Sequence, residues 1–99
     1  MKYFDVAKEF SRYPGGRFAK HGPYSGEEFL YVHLAKLWEQ YNKDEEKIKL
    51  YFSGCEGVTR GFLDESLGEL AKLFGFAAVR ERFHFVGDGI IDDIITENS

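Results

Sequence analysis

A capped amphipathic helix is the sequence feature that most restricts how this chain can fold. Ser25 is a residue type preferred at helix N-caps, and Glu28 stands three residues later, so the two form a capping box. Apolar and aromatic residues follow at helical spacing: Leu30, Leu34, Leu37, Trp38 and Tyr41. This stripe predicts a helix from Ser25 to about Asn42 with one face buried in a core.

Segments with strand character alternate with helical segments along the rest of the chain. Ile48, Leu50 and Phe52 alternate with more polar neighbours, which is typical of a strand with one buried face. Three further strands are predicted, at residues 2–7, 17–20 and 82–86. Two further helices are predicted, one over residues 61–74 and a final isoleucine-rich one capped by Asp88. The alternation predicts an α/β fold with helices packed on a sheet.

Composition excludes several classes of function. The 99 residues have the length of one domain, so residues 1–99 are expected to fold as a unit. The net charge of −4 comes without a basic stripe, so we expect no nucleic-acid partner. The one cysteine, Cys55, excludes a disulfide framework. Without a signal-like stretch or an apolar run near the ~20 residues of a membrane helix, a cytoplasmic protein with no membrane partner is expected.

The residue types that usually carry catalysis form no catalytic or metal-binding pattern in the sequence. The three histidines lack the i, i+4 spacing of a helical zinc site: His21, His33 and His84. Cys55 has no neighbouring base that would activate its thiol. Asp92 and Asp93 form an acidic helix end and not a calcium loop. We therefore expect no catalytic residue, no metal and no cofactor.

Two glycine-rich segments resemble a known family. The first comprises residues 14–18 (PGGRF) and 22–29 (GPYSGEEF), and the second is residues 57–68 (GVTRGFLDESLG). Over about residues 10–80, the chain is similar to the bacterial STAS-like domain family of unknown function. The resemblance implies an α/β fold built on a small mixed β-sheet of about four strands. It also implies about three helices packed mainly on one face of that sheet.

The resemblance also implies a regulatory function like that of anti-sigma-factor antagonists. In those proteins, a partner kinase related to histidine-kinase ATPases phosphorylates a serine at the start of the second helix, and the phosphate breaks a protein–protein contact. The family's serine pair falls here on Arg60 and Gly61, neither of which can accept a phosphate. Thr59 is the nearest hydroxyl and becomes the candidate for phosphorylation. Enzymatic activity is not implied.

We therefore expect a non-enzymatic, regulatory protein-interaction module. Its partner is another protein, for which a histidine-kinase-like ATPase domain is a candidate. Arg60 interrupts a loop of otherwise small residues, and arginine is favoured at interfaces. The predicted contact residues lie in the strand-to-helix connection and the first turns of the following helix: Glu56, Gly57, Val58, Thr59, Arg60, Gly61, Phe62 and Glu65.

Two alternative functions stay open at the level of sequence, as does the oligomeric state. Loop 13–26 leads to a helix N-terminus and carries a candidate anion- or nucleotide-binding set: Arg17, Lys20, His21 and Ser25. The second alternative is an acidic inhibitor from a phage or mobile element that occupies a nucleic-acid-binding groove. Four excess negative charges are few for such a role.

Overall fold

Three short parallel strands form the centre of the computed structural model, which describes residues 2–87 and 89–99. The strands β1 (Lys2–Asp5), β2 (Ile48–Tyr51) and β3 (Phe83–Val86) lie side by side in that order. Lys2 is opposite Ile48, which is in turn opposite Phe83, so the three strands are in register. Within the described residues the sheet is therefore three-stranded and parallel. The expectation of a mixed sheet of about four strands is corrected.

Among the described residues, five helices accompany the sheet, two more than expected. The short helices are α1 (Val6–Glu9), α4 (Phe76–Arg82) and α5 (Ile90–Asn98). The long helix α2 runs through Gly26–Glu28, a π-helical stretch Phe29–Leu34, and Ala35–Asp44. The long helix α3 runs through Arg60–Leu63, a π-helical stretch Asp64–Gly68, and Glu69–Phe74. Among residues 2–87 and 89–99, no helix has the length and apolar content needed to cross a bilayer.

The helices cover one face of the sheet. Connections between adjacent parallel strands are nearly always right-handed, so α2 and α3 fall on the same side. Phe4, Leu50 and Phe83 are buried on that side, whereas Tyr3 and His84 are exposed on the other. The helical contribution to the core is aliphatic and aromatic: Val6, Phe29, Leu30, Leu34, Trp38, Phe62, Leu63, Leu67, Leu70, Ala71, Val79, Ile91, Ile94 and Ile95.

The two long helices run parallel and are in contact at two levels twelve residues apart. At their first turns, a Cβ on Gly26 would overlap the carbonyl oxygen of Phe62, so only glycine fits there. Twelve residues further along each helix, Trp38 stacks on Phe74 with ring centroids 4.4 Å apart. The sequence thus places a glycine where the two helix backbones approach closely and large aromatic rings where side chains fill the space between the helices.

Local hydrogen bonds explain why one predicted strand is shorter than expected and another is absent. The strand predicted at 2–7 stops at Asp5, whose side chain accepts a hydrogen bond from the Ala7 N–H at 3.1 Å and starts α1. The strand predicted at 17–20 does not form. Instead, the carbonyls of Gly16 and Arg17 accept from the Gly26 and Glu27 N–H groups, and Ala19–His21 is a 3₁₀ turn.

The predicted helices are confirmed, with two additions, α1 and α4. Helices α2, α3 and α5 match the predictions to within about two residues. The predicted cap Asp88 lies outside the described residues. Helix α4 was not predicted, because Val79 is its one buried residue and the segment therefore shows no apolar stripe. Gly75, at φ +90°, separates α3 from α4.

Candidate functional site

The connection between β2 and α3 lies at the carboxyl edge of the parallel sheet, where open α/β proteins usually bind their ligands. Its base is fixed by backbone hydrogen bonds: the Phe52 N–H donates to Val86 O at 2.8 Å, and the Glu56 N–H donates to Arg12 O at 2.8 Å. Beyond Glu56, Gly57 adopts a left-handed φ of +66° and is exposed. We call residues 56–61 the presenting loop, because its tip is exposed while its base is fixed.

Thr59 is the N-cap of α3. Its Oγ1 accepts a hydrogen bond from the Phe62 N–H at 3.2 Å, and its carbonyl accepts from the Leu63 N–H at 3.2 Å. The side chain is otherwise exposed. The N–H groups of Arg60 and Gly61, at the first two helical positions, have no acceptor within the helix itself. An added negative charge on Thr59 would therefore lie at the positive end of the helix dipole.

Arg60 is held by an ion-pair cluster centred on Asp64. The Asp64 carboxylate lies 3.8 Å from Arg60 Nε and 3.3 Å from Arg17 Nη2, and it accepts a hydrogen bond from Asn98 Nδ2 at 3.3 Å. Arg60 also pairs with Glu97 of α5. Half of the Arg60 side chain is still exposed. The cluster joins three segments distant in sequence and fixes the direction of the arginine at the surface.

The predicted contact residues separate into exposed and buried members. Four are exposed at the surface: Glu56, Gly57, Thr59 and Arg60. Val58, Gly61 and Glu65 are half-buried, and the Arg17 stem covers Gly61. Burial, followed by the nearby Glu69 carboxylate, raises the pKa of Glu65. Phe62 is fully buried and stacks on Phe29 at 5.6 Å, so its place in the predicted contact set is corrected to a core position.

The predicted anion-binding residues are already engaged elsewhere. Ser25 is fully buried, and its Oγ accepts from the Glu28 N–H at 3.0 Å as the N-cap of α2. The N–H groups of Gly26 and Glu27 donate to loop carbonyls, so the first turn of α2 has no donor left for an anion. Arg17 faces Asp64. Lys20 and His21 both lie against the ring of Phe18, about 5.7 Å from its centroid.

A cleft of about 450 Å³ lies beside the base of the presenting loop. Its lining is mostly apolar or glycine, and Cys55 is the ionisable side chain among the described lining residues. Burial raises the pKa of Cys55 to about 11, and its Sγ donates to Ser11 O at 3.5 Å. At neutral pH the thiol is therefore protonated and a poor nucleophile.

The other groups singled out in the sequence do not converge on this cleft. His33 packs against the rings of Phe4, Phe10 and Phe29, and burial lowers its pKa, with a further contribution from Lys36. In the part of the chain that the structure describes, no three His, Cys, Asp or Glu side chains are grouped as metal ligands. The chemistry available at the presenting loop is thus hydrogen bonding and charge.

Sequence reasoning missed the Asp64 cluster and the capping role of Thr59. Arg17 is 47 positions from Asp64 and Asn98 is 34 positions from it, so no local pattern reveals the cluster. The sequence did contain an indication of the capping role of Thr59, since threonine is a favoured N-cap residue and stands directly before the helix.

One of three comparisons with known proteins gives a match. A family described as a STAS-like domain of unknown function matches residues 25–89, which is roughly two-thirds of the 99-residue chain. The match includes α2, the presenting loop and α3, but it begins after most of the glycine-rich 14–26 segment. Comparison with curated proteins and with solved structures finds no significant match.

Proposed function

Because the chain belongs to the family of STAS-like domains of unknown function, we propose that it is a non-enzymatic module that binds a partner protein through the presenting loop. The observation that carries this proposal is Arg60, half-exposed at the surface and already oriented by Asp64 and Glu97. An arginine that is fixed before binding loses less side-chain entropy when a partner covers it. Arginine is also among the residues most often found at interface hot spots.

The rest of the loop supports the same function. Glu56 is anchored to the segment after α1 by its backbone, and the Thr59 cap fixes the start of α3. A partner therefore meets a surface whose backbone is largely preorganised. The exposed groups of the loop are a carboxylate, a hydroxyl and a guanidinium, which suit a polar contact rim.

We further propose that Thr59 is the position at which a partner kinase regulates this contact. A phosphate on Thr59 would place about two negative charges beside Arg60 and the helix N-terminus. It would attract Arg60 away from Glu97 and change the charge that the loop presents. The chemical class of the partner on this proposal is a kinase with a histidine-kinase-like ATPase domain.

The absence of enzymatic activity is part of the proposal and is supported by the cleft beside the loop. Acyl or group transfer at such a site requires a nucleophile with a base in reach. Cys55 carries a raised pKa, and the described residues that line the cleft with it are apolar, glycine or serine.

The proposal is tested by quantitative affinity capture with matched arginine variants. Arg60→Ala removes the presented guanidinium, whereas Arg80→Ala removes a comparable half-exposed guanidinium, paired with Asp92, on another surface. We expect Arg60→Ala to weaken binding of the captured partner at least about tenfold and Arg80→Ala to leave it unchanged. Equal binding by both variants would place the interface elsewhere.

Regulation at Thr59 is tested separately with the captured kinase and ATP. Thr59→Asn retains a good N-cap but cannot accept a phosphate, and Thr59→Ser retains both properties. We expect a single phosphate, located by mass spectrometry, on the wild-type and Ser chains and none on the Asn chain. Phosphorylation of the Asn chain to the same extent would refute the assignment while leaving the docking surface standing.

A further inference from the structure

A second surface, distant from the presenting loop, lies along the seam between α2 and α3. A groove of about 250 Å³ opens there, and we call it the α2/α3 groove. Its floor is apolar and formed by Leu30, Trp38 and Leu70, which are nearly buried. The described lining of the groove also includes Tyr31, Ala35, Glu39, Glu69, Leu73 and Phe74.

The walls of the groove expose three large side chains of apolar or aromatic character. Tyr31 is 71% exposed, Leu73 is 68% exposed and Phe74 is 50% exposed. Single exposed apolar residues are ordinary on protein surfaces, but these three border the same apolar floor. The patch is therefore continuous with the interior, as expected for a surface that receives another apolar element.

The dimensions of the groove suit a helix. The parallel helices α2 and α3 are in contact from Gly26 and Phe62 to Trp38 and Phe74, twelve residues along each helix. At 1.5 Å per residue the seam is roughly 18 Å long, and its exposed part spans about two to three helical turns. An amphipathic helix that docks in such a groove inserts apolar side chains at i, i+3 or i+4, and i+7.

The rim of the groove is acidic. Glu39 lies on the α2 side and Glu69 on the α3 side. Glu65, one turn before Glu69, has a pKa that burial and the Glu69 charge raise, so these carboxylates lie close enough to repel one another. Lys72 pairs with Glu69 at 3.4 Å and offsets one of the negative charges. A basic ligand would relieve the remaining repulsion, whereas a second copy of this acidic chain would add to it.

We propose that the α2/α3 groove binds an amphipathic helix of a partner protein whose apolar stripe is flanked by lysine or arginine. The surface is separate from the presenting loop, because Leu73 follows Arg60 by thirteen residues of α3, or roughly 20 Å. The proposal therefore stands or fails independently of the function assigned to that loop.

A designed peptide tests the groove directly. The probe is a synthetic helix of about 18 residues with leucines at i, i+3, i+4 and i+7 and lysines on both sides of that stripe. Its first control has the same composition in scrambled order, and its second has glutamate for every lysine. Binding is measured by fluorescence anisotropy at low and at high ionic strength, with the wild-type chain and three variants, of which Glu39→Lys reverses one charge at the rim. The test variant is Tyr31→Ser/Leu73→Ser, and the matched control is Tyr13→Ser, which removes a 64%-exposed ring on a distant loop.

The proposal makes a specific set of expectations. The basic peptide binds the wild-type chain, and its affinity falls as salt rises. The double variant weakens binding at least about tenfold, while Tyr13→Ser changes it less than about twofold. Because both wall residues point mostly into solvent, the melting temperature of the double variant stays near that of the wild type. The glutamate peptide binds weakly to the wild type and more tightly to Glu39→Lys.

Three results would overturn the proposal. Equal binding by the scrambled peptide would show that the peptide binds through its charge alone, without an apolar stripe in the groove. Unchanged binding by a folded Tyr31→Ser/Leu73→Ser chain would place the peptide elsewhere. A wild-type dimer in sedimentation analysis that the double variant converts to a monomer would show that a second copy covers the groove.

Discussion

Replacing Gly26 with alanine tests the close approach of α2 and α3 on which the fold depends. The new Cβ would overlap the Phe62 carbonyl oxygen and lie 3.1 Å from Glu65 Cβ. Both obstacles belong to α3, and the carbonyl is backbone that cannot rotate away. Alanine gains about 1 kcal/mol of helix propensity over glycine. Overpacking costs about 1–3 kcal/mol, and an obstacle that is backbone places this case at the upper end, at about 2–3 kcal/mol, so the free energy of unfolding falls by a net amount of about 1–2 kcal/mol.

Gly61→Ala provides a matched control on the facing helix. There the new Cβ would lie 3.1 Å from Arg17 Cγ, a flexible and half-exposed side chain that can move aside. The same gain in helix propensity is then opposed by little steric cost, so the variant is as stable as the wild type or more stable. For a chain of this length we expect Gly26→Ala to lower the melting temperature by roughly 5–15 °C in calorimetry. A Gly26→Ala chain as stable as the Gly61→Ala chain would refute the packing argument.

Three further predictions concern single side chains. Thr59→Ala removes the cap hydrogen bond to the Phe62 N–H and lowers the free energy of unfolding by about 1 kcal/mol in urea titration, whereas Thr59→Ser stays within a few tenths of wild type. Because burial raises the pKa of Cys55 from 9.0 to about 11, we expect iodoacetamide to label the folded chain slowly at pH 8. The unfolded chain loses the thiol proton at lower pH than the folded chain, so the free energy of unfolding declines from about pH 9 to about pH 11. Cys55→Ala lacks that decline. Because burial lowers the pKa of His33 below 6.5, the unfolded chain binds the proton at higher pH than the folded chain, and the free energy of unfolding decreases as pH drops through 6.5. An equally steep decrease in the His33→Gln chain would contradict this assignment.

The long helices were predictable because their information is local. The Ser25 and Glu28 capping pair gave the start of α2, although in the structure the Glu28 carboxylate accepts from the Tyr24 N–H and not from that of Ser25. Gly75 gave the end of α3. Each of these features involves residues within one turn, so the chain carries them whatever the rest of the fold does.

The number of strands and the structure of the 14–26 segment were not predictable, because they depend on contacts between residues distant in sequence. An isolated Arg17–Lys20 stretch has the composition of a short strand, but its neighbours in space are the first N–H groups of α2, and these take up the backbone carbonyls of Gly16 and Arg17. The Asp64 cluster likewise depends on where α5 lies. Such contacts follow from tertiary packing, which overrides local preference.

The two glycine-rich segments that carry the family resemblance form one structural unit. Arg17 of the first segment covers Gly61 and reaches Asp64 of the second, and Gly26 lies against the Phe62 carbonyl. These residues are therefore explained by packing and capping alone, and none of them needs a functional role to account for its presence. In the second segment, Thr59 caps α3 and Arg60 pairs with Asp64 and Glu97, yet both side chains remain exposed. This capping hydroxyl beside an oriented guanidinium, at the carboxyl edge of the sheet, is thus the part of the motif to which we assign the proposed contact with another protein.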